Sequence, residues 1–275
     1  GYSLEADLWL PAATAGTPPG LLVIVHGGGW LDCANRRDTM SLYAEFVAQL
    51  GIAALNVEYR LAQEGGGYPE NVSDVICAVQ WAHDHVGDHG LSDRIGMVGT
   101  SAGGHLALMA ALVGDRPDLD PGCGSDASLD VLLSYAGPTD LPSFVDGPSE
   151  ARQAPPLYTD EACDIPVTGC LGEARGCTRC VDASPLAHAC TARLPIVLLQ
   201  APDPYDRLVP EAQARSLFAA LDAAGADVTL VIPSDAEMRA NGCTPEGGSH
   251  ALDGCMLRAG GPIVNPLLAT HLGPR

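Results

Sequence analysis

Apolar and polar positions along the chain fall into two alternating regimes. Leu4 to Leu10 alternates in the manner of an edge strand, whereas Leu21-Leu22-Val23-Ile24-Val25 is an unbroken apolar run, as expected of a strand covered on both faces. Residues 39 to 50 carry a helical period, and Ile52 to Val57 returns to a strand pattern. Tyr68-Pro69 then opens a helix in which Val72, Val75, Ile76 and Val79 recur at helical spacing. Further on, Arg94 to Val98, Leu129 to Tyr135, Pro195 to Gln200 and Val228 to Ile232 read as short buried strands. Between them lie helices over His105 to Leu112 and Glu211 to Ala224, with Gly225 as the C-cap of the second. A closing helix is predicted over 262 to 272. Strands and helices in this alternation predict an α/β fold with a mostly parallel, doubly wound sheet, formed as one domain over 1–275. One interval breaks the pattern. From Leu141 to about Arg193 the chain is rich in Pro, Cys, Gly and acidic residues, and 141–193 is read as a disulfide-rich, cysteine-rich insertion.

In sheets of this kind ligands bind beyond the carboxyl ends of the strands. Two glycine motifs fall there. The first, Gly99-Thr100-Ser101-Ala102-Gly103, fits G-x-S-x-G between a strand and a helix, where glycines at both ends let the two elements pack closely around a sharp bend that lifts Ser101 above the sheet. The second, His26-Gly27-Gly28-Gly29-Trp30, follows the Leu21–Val25 strand. Its backbone N–H groups are unshielded by side chains and suited to an oxygen that becomes negative in a tetrahedral intermediate.

Together with YRL at 59 to 61, YP at 68 to 69 and DRI at 93 to 95, the segments HGGGW and GTSAGGHLA resemble the α/β-hydrolase esterases. The likeness is to secreted bacterial carbohydrate esterases of the feruloyl and acetyl xylan esterase type, and more distantly to the hormone-sensitive-lipase group. It covers residues 3 to 112 well and the C-terminal third in outline, and it implies that the 141–193 insertion lies over the active-site face as a cap or a pocket wall. It implies a serine nucleophile at Ser101 and an oxyanion hole from the N–H groups of Ala102 and of Gly27 or Gly28. A serine nucleophile needs an imidazole base, and the imidazole needs a carboxylate to fix its tautomer. Asp206, in a segment that resembles the esterase element ending in D-x-L-V-P, is the chosen acid. Asp203 is the alternative, because this loop is about two residues longer than the usual pattern. His250, within Gly247-Gly248-Ser249-His250, completes the order Ser, Asp, His. It follows the last strand by about 17 residues, farther than the pattern usually allows. Trp30 and Tyr205 are candidate substrate contacts.

Composition narrows the setting. The 275 residues include ten cysteines, a dense and even number that favours disulfides in an oxidising compartment, so a secreted or periplasmic protein is expected, with the chain as its mature form. Ten cysteines allow about 945 pairings. Cys243 with Cys255 is one local expectation, and pairing mostly within the crowded set from Cys163 to Cys190 is another. Cys177-Thr178-Arg179-Cys180 also fits one half of a structural zinc site, the less favoured reading. The net charge is −20, with 14 arginines and no lysine, which disfavours nucleic acid and anionic membranes as partners. No apolar run reaches the roughly 20 residues of a membrane helix. His83, His85 and His89 are read as an exposed polar face rather than a metal site, and His26 and His105 as structural, His26 by shaping the glycine loop.

The expected activity is hydrolysis of short-acyl or aryl esters, on small molecules or linked to plant polysaccharides, by a monomer that needs no metal or cofactor. Polyester or cutin-type esters and arylformamides are alternative substrates. A non-enzymatic binding module is the contrary reading, disfavoured because all three triad residue types are present.

Overall fold

The structure is a computed structural model that describes residues 3–12, 16–31, 36–146, 181–206, 208–245 and 254–274. Seven strands form one sheet in the order β1-β3-β2-β4-β5-β6-β7. They are β1 (Ala6–Trp9), β2 (Leu21–Val25), β3 (Ala53–Val57), β4 (Ile95–Thr100), β5 (Val131–Tyr135), β6 (Ile196–Leu199) and β7 (Val228–Val231). Only β1 runs antiparallel, along β3, and every other pairing is parallel. The α/β, mostly parallel sheet expected from the alternation is therefore present, with β1 as its antiparallel edge.

Helices cover both faces, and the period of two in the strands decides which side chain meets which layer. Leu21, Val23 and Val25 join the core built with α2 (Glu70–His85), α3 (Ala102–Val113) and α5 (Glu211–Ala223). Leu22 and Ile24 join the opposite core with α1 (Ser41–Gln49) and α7 (Gly254–Leu272). The short helices α4 (Leu141–Asp146) and α6 (Asp235–Ala240) lie after β5 and β7. All five residues of β2 are buried, each worth about 1.5–3 kcal/mol for a full aliphatic side chain, which is why the run is apolar without alternation.

Among these elements α3 is buried almost all round, as its apolar sequence requires. His105 is the polar exception. It donates from Nε2 to Ala183 O at 2.7 Å, and burial, set against that bond, lowers its pKa to about 4. Gly99 and Gly103 let the helix sit on the sheet. A Cβ on Gly103 would overlap the carbonyl oxygens of Val25 and His26, and one on Gly99 would overlap Gly103 itself.

Three features differ from the sequence expectation. The closing helix starts at Gly254 rather than 262, although Pro262 resembles a helix-opening proline. Its first turns are secured by Cys255, bridged to Cys243 as expected, and by Gly260 packed against Leu199, and this tertiary packing outweighs the hydrogen bond each proline forgoes. The long interval after β7 contains α6, whose Ser234 accepts from Glu237 N while the Glu237 carboxylate accepts from Ser234 N, a reciprocal cap. A second bridge joins Cys77 on α2 to Cys123, closing a separation of 46 residues, and Cys190 is an exposed free thiol rather than a member of the crowded pairing set. Cys33, Cys163, Cys170, Cys177 and Cys180 lie outside the described residues, as does 147–180 of the insertion.

Two outcomes follow from α3. Gly103→Ala should lower stability by about 2–4 kcal/mol, because the carbonyls it meets are fixed backbone; the shift of the urea midpoint at unchanged m measures it. His105 has a folded pKa below its unfolded value near 6.5, so the unfolded chain binds more protons as pH falls from about 6.5 to 4, and stability drops across that window, by a few kcal/mol at most. His105→Gln should flatten that part of the stability profile, followed by denaturant melts between pH 4 and 7.

Candidate active site

Ser101 sits between the last residue of β4 and the first of α3 with φ 54° and ψ −121°, a left-handed conformation that a residue with a Cβ adopts only when its surroundings impose it. They do so from both sides. Ser101 N donates to Tyr135 O at 2.7 Å, and Ser101 O accepts from His105 N at 3.0 Å. The turn is the strand-to-helix elbow expected of the sequence motif.

Across from it runs the glycine loop. Gly28 has φ 114° and Gly29 φ 62°, where glycine alone is unstrained, and Trp30 follows at φ 62°. Gly27 lies against the elbow: a Cβ there would stand 2.9 Å from Thr100 O and 3.2 Å from Ser101 Cβ. Gly27, Gly28, Ser101 and Ala102 are thus brought together at the carboxyl ends of β2 and β4, which are neighbours in the sheet. Ala102 opens α3, so its N–H belongs to the unpaired first turn of a helix.

The loop after β6 separates the two candidate acids. Asp206 is 3% exposed and held by hydrogen bonds: Oδ1 accepts from Leu208 N and Val209 N, both at 2.9 Å, and Oδ2 from Gln200 Nε2 at 3.0 Å. Asp203 is exposed and accepts from Glu211 N at the start of α5. Buried, oriented by three donors and carried at the carboxyl end of β6, Asp206 has the environment of an acid that steadies an imidazole. Gln200 is the residue that sequence reading missed. Its amide holds Asp206 Oδ2 and Val209 O together, and its only sequence signal is a glutamine closing an apolar strand. His250 lies outside the described residues; its flanks are tied by the Cys243–Cys255 bridge.

Neither candidate substrate contact is at the surface. Tyr205 is 1% exposed and spends its hydroxyl on Asp235 at 2.6 Å. Trp30 is buried with its ring edge-on to His105, centroids 5.3 Å apart, so it packs the glycine loop onto α3. Among the described residues no group of three or more His, Cys, Asp and Glu is placed to hold a metal, and no helix is long and apolar enough to cross a membrane.

The chain on either side of 147–180 is held by hydrogen bonds to α5, Tyr68 and Arg116. On the departing side Gln213 of α5 accepts from Thr139 N and Asp140 N, each at 2.8 Å, and donates to Ser143 Oγ at 3.0 Å. On the returning side Asp182 accepts from Tyr68 OH at 2.6 Å and from Arg116 at 2.7 Å. The Arg116 hydrogen bond, opposed by partial burial, holds the Asp182 carboxyl below its ordinary value. The two ends are also joined to each other, Leu186 N to Thr139 O at 2.9 Å and Leu141 N to Ser184 Oγ at 3.0 Å.

Comparison with known proteins agrees with this architecture. The probable carboxylic ester hydrolase LipM of Mycobacterium tuberculosis (strain ATCC 25618 / H37Rv) is 29% identical over 219 residues, 78% of this chain and 48% of LipM. Esterase LipQ of the same organism is 28% identical, covering 80% of this chain and 50% of LipQ, so the chain spans about half the length of these relatives. A truncated carbohydrate esterase from gut microbiota superposes with a TM-score of 0.73 at 18% identity, over 97% of this chain and 90% of that one. The propionate-bound thermophilic esterase Est2 of Thermogutta terrifontis gives 0.64 at 21% identity, over 84% and 78% of the two chains. These two share the fold. The BD-FAE family model matches residues 6–221, well over half of the sequence, and the chain belongs to the BD-FAE family.

Proposed function

We propose that the chain is a serine carboxylic ester hydrolase working through Ser101, His250 and Asp206. The observation that carries the reading is the strained Ser101 turn packed against the glycine loop, since a serine held at φ 54° beside Gly27 is costly to build and suits a nucleophile facing backbone donors. The ester hydrolase and esterase names of LipM and LipQ support it.

In this mechanism His250 takes the Ser101 proton as Oγ adds to the ester carbonyl. The resulting oxyanion is met by the N–H groups of Ala102 and of Gly27 or Gly28, each worth on the order of 3 kcal/mol. Collapse expels the alcohol, which receives the proton from His250. Water then adds to the acyl-enzyme with His250 again as base, releasing the acid and restoring Ser101. Asp206 fixes the imidazole and offsets its positive charge, and its own orientation is set by Gln200, Leu208 and Val209.

The substrate class follows as a finer proposal: short-acyl or aryl esters, including those borne on plant polysaccharides, taken by a monomer in an oxidising compartment. The carbohydrate esterase among the fold neighbours and the bridges Cys77–Cys123 and Cys243–Cys255 support it.

Ser101→Ala should abolish turnover of p-nitrophenyl acetate, and Asp206→Asn should lower kcat roughly 10⁴-fold, with circular dichroism unchanged in both. Wild-type rates retained in folded Ser101→Ala would overturn the mechanism. Side-by-side kcat/KM on acetylated xylan, methyl ferulate, a soluble polyester and N-formylkynurenine should rank the first two highest; preference for the formamide or the polyester would replace the substrate class and leave the triad standing.

A further inference from the structure

The loop from Ala201 to Pro210, between β6 and α5, carries a carboxylate that has to meet an imidazole from another part of the chain. Leu208 N and Val209 N, which donate to Asp206 Oδ1, belong to that loop themselves. They fix the carboxylate relative to the loop and do not locate the loop. Ties that locate it must reach outside. Gln200 at the end of β6 donates to Val209 O at 3.0 Å, and Glu211 N at the start of α5 donates to Asp203 Oδ1 at 3.4 Å. Tyr205, the residue before Asp206, reaches in a third direction. Its ring is 1% exposed, in the apolar cluster that includes Met238, Cys243 and Cys255, and its hydroxyl donates to Asp235 Oδ1 at 2.6 Å.

Asp235 is the first residue of α6, beyond β7, and α6 is firmly held. Ser234 caps its start, and Asp235 Oδ2 accepts from Arg239 Nε at 2.9 Å one turn further on. Met238 is fully buried, and its carbonyl accepts from Cys243 N at 3.0 Å. Cys243 is bridged to Cys255 of α7, and Arg258 of α7 donates from Nη2 to Asn241 O at 2.6 Å. The stretch of sequence between α6 and α7 contains His250, so these two helices set where that stretch begins and ends. The Tyr205–Asp235 bond therefore joins the loop of the acid to the helices that flank the base, beyond β6 and β7, which are neighbours in the sheet.

We propose that Tyr205 and Asp235 are positioning residues of the triad: their hydroxyl-to-carboxylate bond fixes the separation between the loop of Asp206 and the helices flanking His250. The proposal rests on the serine esterase reading. A carboxylate raises the basicity of an imidazole and stabilises the imidazolium only where it meets the ring. Acylation and deacylation both pass through that imidazolium. A loosened acid loop thus slows both steps together, which lowers kcat with KM little changed, and it lowers the pKa of the base as well. A tyrosine that only filled space would do neither, since phenylalanine occupies nearly the same volume.

Tyr205→Phe removes one oxygen and keeps the ring. It should lower kcat on p-nitrophenyl acetate roughly 5- to 30-fold, less than a misplacement of a full ångström costs, with KM within about twofold of wild type. The acid limb of its kcat/KM profile should move to lower pH by about 0.5, because the base has lost part of its carboxylate. Asp235→Ala should reproduce both effects. Asp235→Asn keeps an acceptor for the hydroxyl and should stay within about threefold of wild type, with the acid limb unmoved. Tyr205→Phe/Asp235→Ala should be no slower than the slower single variant, since both changes remove the same bond. Wild-type kcat in folded Tyr205→Phe, a loss of kcat with the acid limb unmoved, Asp235→Asn as slow as Asp235→Ala, or losses that multiply in the double variant would each overturn the proposal. Should Tyr205→Phe or Asp235→Ala fail to fold, the other, read against Asp235→Asn, decides by the same criteria. An inactive wild type would defeat the esterase reading instead, whereas an active wild type indifferent to these changes would defeat only the roles of Tyr205 and Asp235.

Discussion

The site depends on how closely α3 approaches the end of β2. Because Gly103 has no side chain, the helix rests on the carbonyl oxygens of Val25 and His26, and Gly99 lets the strand before it turn beneath the same helix. That approach has two results at once. It leaves Ser101 no room to relax out of its left-handed conformation, with its N–H and C=O already engaged by Tyr135 and His105. It also brings Gly27 to the Ser101 side chain, so the serine and the glycine loop are set by one contact between neighbouring elements rather than by two independent loops. The strain in Ser101 is of order 1–3 kcal/mol, small beside the apolar burial of β2, β4 and α3 that resists its release.

Charge is handled differently at the centre and at the surface. With a net charge of −20 and only arginine as permanent cation, the chain has few positive groups, and several of them are committed to structural carboxylates. Arg60 grips Asp74 through both Nε and a terminal nitrogen, and Arg116 grips Asp182. Asp206 accepts hydrogen bonds from the backbone N–H groups of Leu208 and Val209 and from the Gln200 amide. Glu58 stands among charged neighbours. Burial raises its pKa, but the bond and charge of His26, with Arg37 N and Arg36, hold it below the ordinary carboxylate value.

Much of this was legible in the sequence, for physical reasons that differ by element. The unbroken apolar runs of β2, β4 and β6 announce strands buried on two faces, and a serine between glycines after such a run announces a turn that other residues would not make. The candidate acid was legible only to within a loop: the sequence left Asp206 and Asp203 as alternatives, of which the first is buried and the second exposed. Gln200 was not legible, because a single amide at the end of a strand has no periodic signal. The extent of α7 was hidden for a different reason. Pro262 and Pro266 oppose a helix locally, and the disulfide and the contact of Gly260 on Leu199 that favour it are long-range. Trp30 and Tyr205 have surroundings that the sequence did not announce. Both stand next to functional motifs, yet both are buried, one packing the glycine loop and one reaching Asp235.

The stitching between Thr139–Ser143 and Asp182–Leu186 has a consequence for how this fold can diversify. The departing and returning stretches of chain are bonded to each other, to Tyr68 and Arg116, and to α3 and α5 before any residue between them is considered. A segment hung from such a stem changes the closure entropy only logarithmically with its length, about 0.6 kcal/mol per doubling. Lengthening or shortening the chain between these two ends therefore costs little in closure entropy, and the stem sets where it begins and ends whatever that length.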